Sequence, residues 1–357
     1  MSTVSLIVVG APRSGTYWVV DLLQARFGLC IPSETHFAPL FSRFLWLWGD
    51  LSKASNRRRL LKNIYEFLQI WTPRSAKSED YVAQIRQLSL LVTLDEGRGG
   101  QIIEESFDYV SLIEALYRHF ADIHGADLSG DKSAHYRVVD PDLIFNAYPL
   151  SKMLHVIRDG RDVAGSWLQQ WFGPPDLTQA AGLWREHIEV NRDWGQRNPQ
   201  RYLEVRYEDL ATSLETEIDK IGHFIGRRAV PEQVAAEESL LARALSKTHS
   251  HAGMLEIDAI DNVAKWQTEM SEHDKTVFEK IAGETLISGG YEALVYETDG
   301  GVHHWPRFSA HTARVAIKAW LPLILGISSV LRFPFLRIAN RKFSEKWVST
   351  AIEPMFK

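Results

Sequence analysis

The first 28 residues constrain the fold more than any other part of the chain. Val4-Ser5-Leu6-Ile7-Val8-Val9 is a short, nearly continuous apolar run, the pattern of a strand buried on both faces of a parallel sheet. Gly10 to Gly15 then reads as a turn. From Thr16 the period changes, and Trp18, Val19, Leu22, Leu23 and Phe27 fall on one helical face, with Gly28 placed as a C-cap. A strand, a glycine loop and a helix in immediate succession predict an α/β unit. The loop's backbone N–H groups, with a helix N-terminus behind them, make an anion cradle.

The loop reads Gly10-Ala-Pro-Arg-Ser-Gly15-Thr16. Its two glycines have the spacing of the phosphate-binding pattern G-x-x-x-x-G-K-[ST], but Thr16 stands where that pattern has lysine. The loop's charge comes from Arg13 instead. An ordinary nucleoside triphosphate site, in which the lysine reaches the β- and γ-phosphates, is therefore disfavoured.

Further strands are expected at Met153–Ile157 and Tyr202–Val205, with a weaker candidate at Gln101–Glu105. The stretch from Phe37 to about Leu94 reads as mostly helical and rich in aromatic residues, with Arg57-Arg58-Arg59 on a solvated helix face. Strands alternating with helices argue for a parallel sheet. The expected architecture is an α/β, P-loop NTPase-like three-layer fold with a helical insertion at about 37–98. The chain's 357 residues divide into a body, 1–298, and a C-terminal tail, 299–357, joined at Asp299-Gly300-Gly301. No internal repeat or low-complexity segment is evident.

Two more strand ends carry polar clusters. Arg158 follows the strand ending at Ile157, and Ser166 lies eight residues on, in a helix expected to start near Asp162. Ligands of open α/β sheets bind beyond the carboxyl ends of the strands. That places Arg158 beside the glycine loop, and an arginine with a hydroxyl suits a phosphate monoester. The competing reading pairs Arg158 and Arg161 with Asp159 and Asp162 as surface ion pairs. In Arg206-Tyr207-Glu208-Asp209, Tyr207 is placed at the same rim, where it could meet a flat base.

Together, Gly10-Ala-Pro-Arg-Ser-Gly-Thr16, the strand with Arg158 and Ser166, and Val205-Arg-Tyr-Glu-Asp-Leu210 closely resemble the sulfotransferases that use 3′-phosphoadenosine 5′-phosphosulfate (PAPS). Val263-Ala-Lys265-Trp266-Gln, running on to Gly290-Tyr291-Glu292, is similar to the family's C-terminal segment. The resemblance spans roughly residues 4 to 295. It implies that Arg13, Ser14, Gly15, Thr16 and Tyr17 hold the 5′-phosphosulfate, that Arg158 and Ser166 hold the 3′-phosphate, and that Tyr207 lies near the adenine. Lys265 matches a basic residue near the nucleotide in some members. The absent lysine becomes expected, since such enzymes grip no triphosphate and generally need no metal. The P-R-S-G-T loop is closer to the carbohydrate and tyrosylprotein branches than to the cytosolic P-K-S-G-T branch.

Sulfuryl transfer moves SO₃ in line from a phosphate to an acceptor oxygen or nitrogen. By analogy with phosphoryl transfer, positioning and electrostatics supply most of the rate. The resemblance implies that a base comes from Pro32-Ser33-Glu34-Thr35-His36-Phe37, with Glu34 favoured and His36 the alternative. It also implies that Lys132, in Gly130-Asp131-Lys132-Ser133, steadies the sulfonate and leaving group alongside Arg13. The acceptor is expected to be a carbohydrate, lipid-linked or other small molecule bearing a hydroxyl or amine. Phe41, Phe44, Trp46, Trp48, Tyr65, Phe67, Trp71, Trp167, Trp171 and Phe172 read either as core or as a wall for that acceptor.

Composition narrows the remaining classes. Hydrophobic residues at 45% and charged residues at 24% are ordinary globular values. A net charge of −5 disfavours nucleic acid as a partner. The sole cysteine, Cys30, excludes an intrachain disulfide and fits a reducing compartment. The histidine pairs His249/His251 and His303/His304 lack interleaved carboxylates, and no metal site is expected. The charge is uneven: residues 301–357 hold nine Lys/Arg against two Asp/Glu, a net of +7, which leaves −12 on the other 300 residues. Ala319 to Leu331 is apolar, is flanked by Arg314, Lys318, Arg332 and Arg337, and is too short to span a bilayer. It reads as a helix on an anionic membrane surface, with packing on the body or a dimer contact as alternatives. A glycine loop starting at residue 10 leaves no room for an N-terminal anchor, so a cytoplasmic enzyme, peripheral on the inner membrane surface, is expected. The rival functions are a metal-dependent P-loop kinase of a small molecule and a membrane-associated nucleotide-binding module without catalysis.

Overall fold

Five parallel strands form the sheet among the described residues of the computed structural model, which are 4–32, 35, 37–42, 44–71, 90–133, 141–170, 173–231 and 259–293. They fall within the unit Met1–Val295. The strands are β1 (Val4–Val9), β2 (Leu29–Cys30), β3 (Leu128–Ser133), β4 (Lys152–Ile157) and β5 (Tyr202–Arg206), in the spatial order β2-β3-β1-β4-β5. Every pairing is parallel, with Val8 in register with Lys132 on one side and Leu154 on the other. From the central β1 the chain runs outward to β2 and β3, then crosses to β4 and β5. That reversal makes a crevice between the carboxyl ends of β1 and β4, where such sheets bind ligands.

Helix α1 (Thr16–Phe27) packs Val19, Val20, Leu23 and Phe27 against Leu6, Val8, Leu154 and Val156. It ends as expected, with Gly28 at φ 65° and its N–H on the Gln24 carbonyl. Later come α2 (Phe37–Ser42), α3 (Ala54–Trp71), α4 (Glu96–Glu105), α5 (Tyr109–Ile123), α6 (Pro141–Phe145), α7 (Gly160–Leu168) and α8 (Leu177–Arg197). After β5 the described helices are α9 (Tyr207–Thr212), α10 (Leu214–Ile225), α11 (Trp266–Glu269) and α12 (Glu272–Ser288). Helix α10 joins α1 through Ile218 and Ile221. A second core gathers Val163 and Trp167 of α7, Trp184 and Ile188 of α8, and Phe278 and Leu286 of α12 around Ile157.

Three expectations are corrected. Gln101–Glu105 is the end of helix α4, not a strand: Asp95 caps that helix by accepting from the Arg98 N–H, and Ile102 and Ile103 are buried side by side. Strand β3 was not expected, because Leu128-Ser-Gly-Asp-Lys-Ser133 is too polar to announce a central strand. Arg57 is not solvated but buried, donating to the carbonyls of Leu51, Ser52 and Ile103, while Arg58 is exposed.

The insertion is mostly helical where it is described, with a turn at 48–53; residues 72–89 lie outside the described set. Phe41, Phe44 and Trp48 are core residues, with Trp48 Nε1 donating to Asn63, and Trp167 is likewise core. Trp46 is exposed. Trp171, Phe172, the linker at 299–301, the tail, and the histidines at 249, 251, 303 and 304 lie outside the described residues. Among the described residues no helix is long and apolar enough to cross a membrane.

Candidate active site

The glycine loop leaves β1 at Gly10 and closes on itself through Ser14 N–H to the Ala11 carbonyl, 3.1 Å. Two residues in it take left-handed backbone conformations, Arg13 at φ 72° and Gly15 at φ 84°. Gly15 has no substitute, because a Cβ there would lie 2.4 Å from the Tyr207 ring. Arg13 is the costlier case, since a non-glycine residue in this region stores roughly 1–3 kcal/mol of strain, which clusters at functional sites.

That strained backbone directs Arg13 across the crevice. Its Nε donates to Ser166 Oγ at 2.9 Å. Arg158, one residue past β4, donates from Nη1 to the Arg13 carbonyl at 3.2 Å and from Nη2 to the Asn262 carbonyl. The two guanidinium groups are thus held as neighbours, and burial together with Arg158 pushes the Arg13 pKa down. Both costs are relieved by an anion. Ser14 Oγ and Arg158 Nε are buried without hydrogen-bond partners, and a buried donor left unmade costs about 1–3 kcal/mol. Two unused donors among crowded cations are what a phosphorylated ligand would satisfy.

The ion pairs expected of the Arg158 cluster are present, but they are buried and not on the surface. Arg161 is committed to Asp159 at 2.7 Å and Glu279 at 2.8 Å, and lies 3.4 Å from the Trp266 ring centre. Arg158 pairs more loosely with Asp162, at 3.8 Å.

Arg13, Gly15, Arg158, Ser166, Tyr207 and Lys265 all line one cavity of about 490 Å³. These six residues come from four separate stretches of sequence. Ser14 and Thr16 are buried in the loop. Tyr207 lies at this rim. Its hydroxyl donates to the Ala259 carbonyl, Arg158 lies 4.8 Å from its ring centre, and Gly15 presses on its edge. It is a wedge between the loop and the segment after residue 258, not an open platform.

Lys132 lies on the α1 side of β3. It is almost fully buried, with Nζ 3.5 Å from the centre of the Tyr17 ring. Its neighbour Asp131 points to the opposite face, as strand alternation requires. There it accepts from Tyr148 Oη at 2.7 Å and from Thr35 Oγ1 at 3.2 Å, and Tyr117 Oη bonds to both Thr35 and Tyr148. Glu34 and His36 lie outside the described residues, but Thr35 between them is buried and anchored on Asp131.

The sequence motifs include Asp131, Asp162 and Trp266 but give them no structural role at the site, and they leave Asn262 out altogether. A buried aspartate gives no local signal, because its partners lie far away in the chain. Among the described residues no group of three or more His, Cys, Asp or Glu side chains could hold a metal ion.

Residues 5–232 match the model of the Sulfotransferase family. A search of curated protein sequences finds no match. Among solved structures, the chain is similar to the sulfotransferase domain of the Synechococcus olefin synthase, at 19% identity, 81% coverage of this chain, 95% of that one and a TM-score of 0.48. A sulfotransferase domain from the curacin biosynthetic pathway matches at 16% identity, 82% and 99% coverage and 0.48. A mouse sulfotransferase complexed with PAP matches at 11% identity, 80% and 84% coverage and 0.41. With the family's model matched over well over half of its 357 residues, the chain belongs to the sulfotransferase family.

Proposed function

We propose that this protein transfers a sulfuryl group from PAPS to a hydroxyl or amine of a carbohydrate, lipid-linked or other small-molecule acceptor, releasing 3′-phosphoadenosine 5′-phosphate (PAP). One observation supports the reading: Arg13, bonded to Ser166, and Arg158, bonded to the Arg13 carbonyl, line one cavity at the ends of β1 and β4, with the Arg158 Nε and the Ser14 hydroxyl of the loop unpartnered. This set suits a nucleotide with two separate anionic groups. Arg158 and Ser166 are assigned to the 3′-phosphate, and the loop from Arg13 to Tyr17 to the 5′-phosphosulfate. Tyr207 and Lys265 complete the nucleotide wall.

PAPS supplies the activated sulfuryl group, and the protein supplies its placement. Lys132 and Arg13 are assigned to neutralising charge on the sulfonate and the departing phosphate. Held cations of this kind need no reorganisation as charge develops. Glu34 is assigned to remove the acceptor proton, with His36 as the alternative base. The P-R-S-G-T loop supports a kinship nearer the carbohydrate and tyrosylprotein branches than the cytosolic P-K-S-G-T branch. The chemistry assigned needs no metal. The single cysteine, Cys30, is buried, which pushes its pKa up to about 12; a chain with one cysteine and no possible intrachain disulfide supports a reducing, cytoplasmic setting. The basic tail is assigned to an anionic membrane surface.

The test is transfer from PAPS to a panel of sugars, amphiphilic alcohols and amines, read as sulfated product together with released PAP. Product formation that disappears in Lys132→Ala and Arg158→Ala is expected. ATP turnover dependent on Mg²⁺, with no PAP formed from PAPS, would overturn the reading.

A further inference from the structure

Asp162 stands at the first turn of α7, and its side chain is almost completely buried. Its two carboxylate oxygens accept from two backbone groups of a distant segment: the Ala264 N–H at 2.9 Å and the Trp266 N–H at 2.7 Å. The residue between those two amides is Lys265. Ala264 is a non-glycine residue at φ 59°, a conformation that persists only where its surroundings impose it. The same segment is pinned elsewhere, through Asn262 to Arg158 and through Ala259 to Tyr207. Lys265 lines the cavity shared with Arg13, Arg158 and Ser166.

We propose that Asp162 is a positioning residue for the nucleotide: by holding the amides on either side of Lys265, it fixes that cation in the cavity wall and so sets the preference for a nucleotide bearing a 3′-phosphate. This rests on the PAPS reading above. Asp162 borders the same cavity, but both its carboxylate oxygens are committed to the two amides, and it acts on the nucleotide through Lys265. Without the clamp, the strained turn at Ala264 relaxes and Lys265 leaves its place.

The experiment compares calorimetric affinities for PAP and for 5′-AMP, which lacks the 3′-phosphate, in the full-length wild type, Asp162→Asn and Lys265→Met. A merely structural aspartate would lower the melting temperature and leave the ratio of the two affinities alone. The expected result is a fall of about tenfold in the PAP preference in Asp162→Asn, the size of one charge-assisted contact, with 5′-AMP affinity held within about threefold. Lys265→Met should show the same fall, and the double variant no further fall. If Asp162→Asn does not fold, the half-buried Lys265→Met still decides, since an unchanged ratio there overturns the proposal. An unchanged ratio in both variants overturns it while leaving the PAPS reading intact. Failure of the wild type to bind PAP removes the PAPS reading itself.

Discussion

Gly15 is where backbone and chemistry meet most tightly. Its φ of 84° and the 2.4 Å approach of the Tyr207 ring leave no room for a methyl group. Gly15→Ala should therefore abolish PAP binding and lower the melting temperature by several degrees. Gly28→Ala meets nothing within 4 Å at φ 65° and should cost only about 1–2 kcal/mol, the price of the left-handed conformation alone. Circular dichroism melts on the two variants check the contrast. At the base, Glu34→Gln should lower the transfer rate about 10²–10⁴-fold, the usual worth of a general base, with PAP affinity unchanged. His36→Asn should stay near wild type, and the reverse pattern would make His36 the base. The loop was legible in the sequence because glycine spacing, an arginine and a change of hydrophobic period are local signals. The clamp made by Asp162 was not, because in the sequence an aspartate beside two arginines reads as their ion-pair partner. Its partners, Ala264 and Trp266, lie about a hundred residues away.

Among the elements, β3 shows what sequence periodicity misses. Leu128-Ser-Gly-Asp-Lys-Ser133 has neither strand propensity nor alternation, yet it is paired on both sides, by β1 and by β2. Pairing and the buried hydrogen bonds of Asp131 hold it, so its stability depends on tertiary partners. Tyr148→Phe removes the 2.7 Å donor to that carboxylate and should destabilise the fold by about 1.5–3 kcal/mol, as for hydrogen bonds to charged groups, measured by denaturant midpoint. Helix α8 adds an acid-sensitive element. His187 is fully buried in it, and burial drives its pKa down from the ordinary 6.5 to about 3. Burial likewise lowers His155 on β4. Below pH 6.5 the unfolded chain takes up protons that the native state refuses. Stability should thus be full above pH 6.5 and fall towards pH 3, by up to about 1.4 kcal/mol per pH unit for each such histidine. His187→Leu should flatten this slope. A pH series of melts that leaves the slope unchanged would remove His187 as its source. Helix α4, by contrast, was read as a strand because Gln-Ile-Ile-Glu-Glu is too short a run to separate the two periods. Its cap at Asp95 decides the matter.

For the molecule as a whole, the strand order explains why the site is where it is. The crossover from β3 to β4 opens the crevice that receives Arg13 from one loop and Arg158 from another. This much was readable in advance, since parallel strands with polar carboxyl ends imply a shared rim. The acceptor side was not, because aromatic residues at helical spacing look alike in a core and in a pocket; Phe41, Phe44 and Trp48 prove to be core. The charge of the chain is also a whole-molecule property, with +7 on residues 301–357 and −12 on the remainder. Full-length protein should co-sediment with vesicles containing anionic lipid, more weakly at high salt, and a form ending at residue 298 should remain in the supernatant. Equal sedimentation of the two would remove the tail from membrane binding. The central claim, that the crevice between β1 and β4 takes a 3′-phosphorylated adenine nucleotide, is tested most directly by calorimetric titration of PAP in EDTA, with ATP and the Arg158→Ala variant alongside. Tight metal-free binding of PAP, weak binding of ATP and loss of PAP binding in the variant are predicted. Absence of PAP binding, with ATP bound only when Mg²⁺ is supplied, would contradict it.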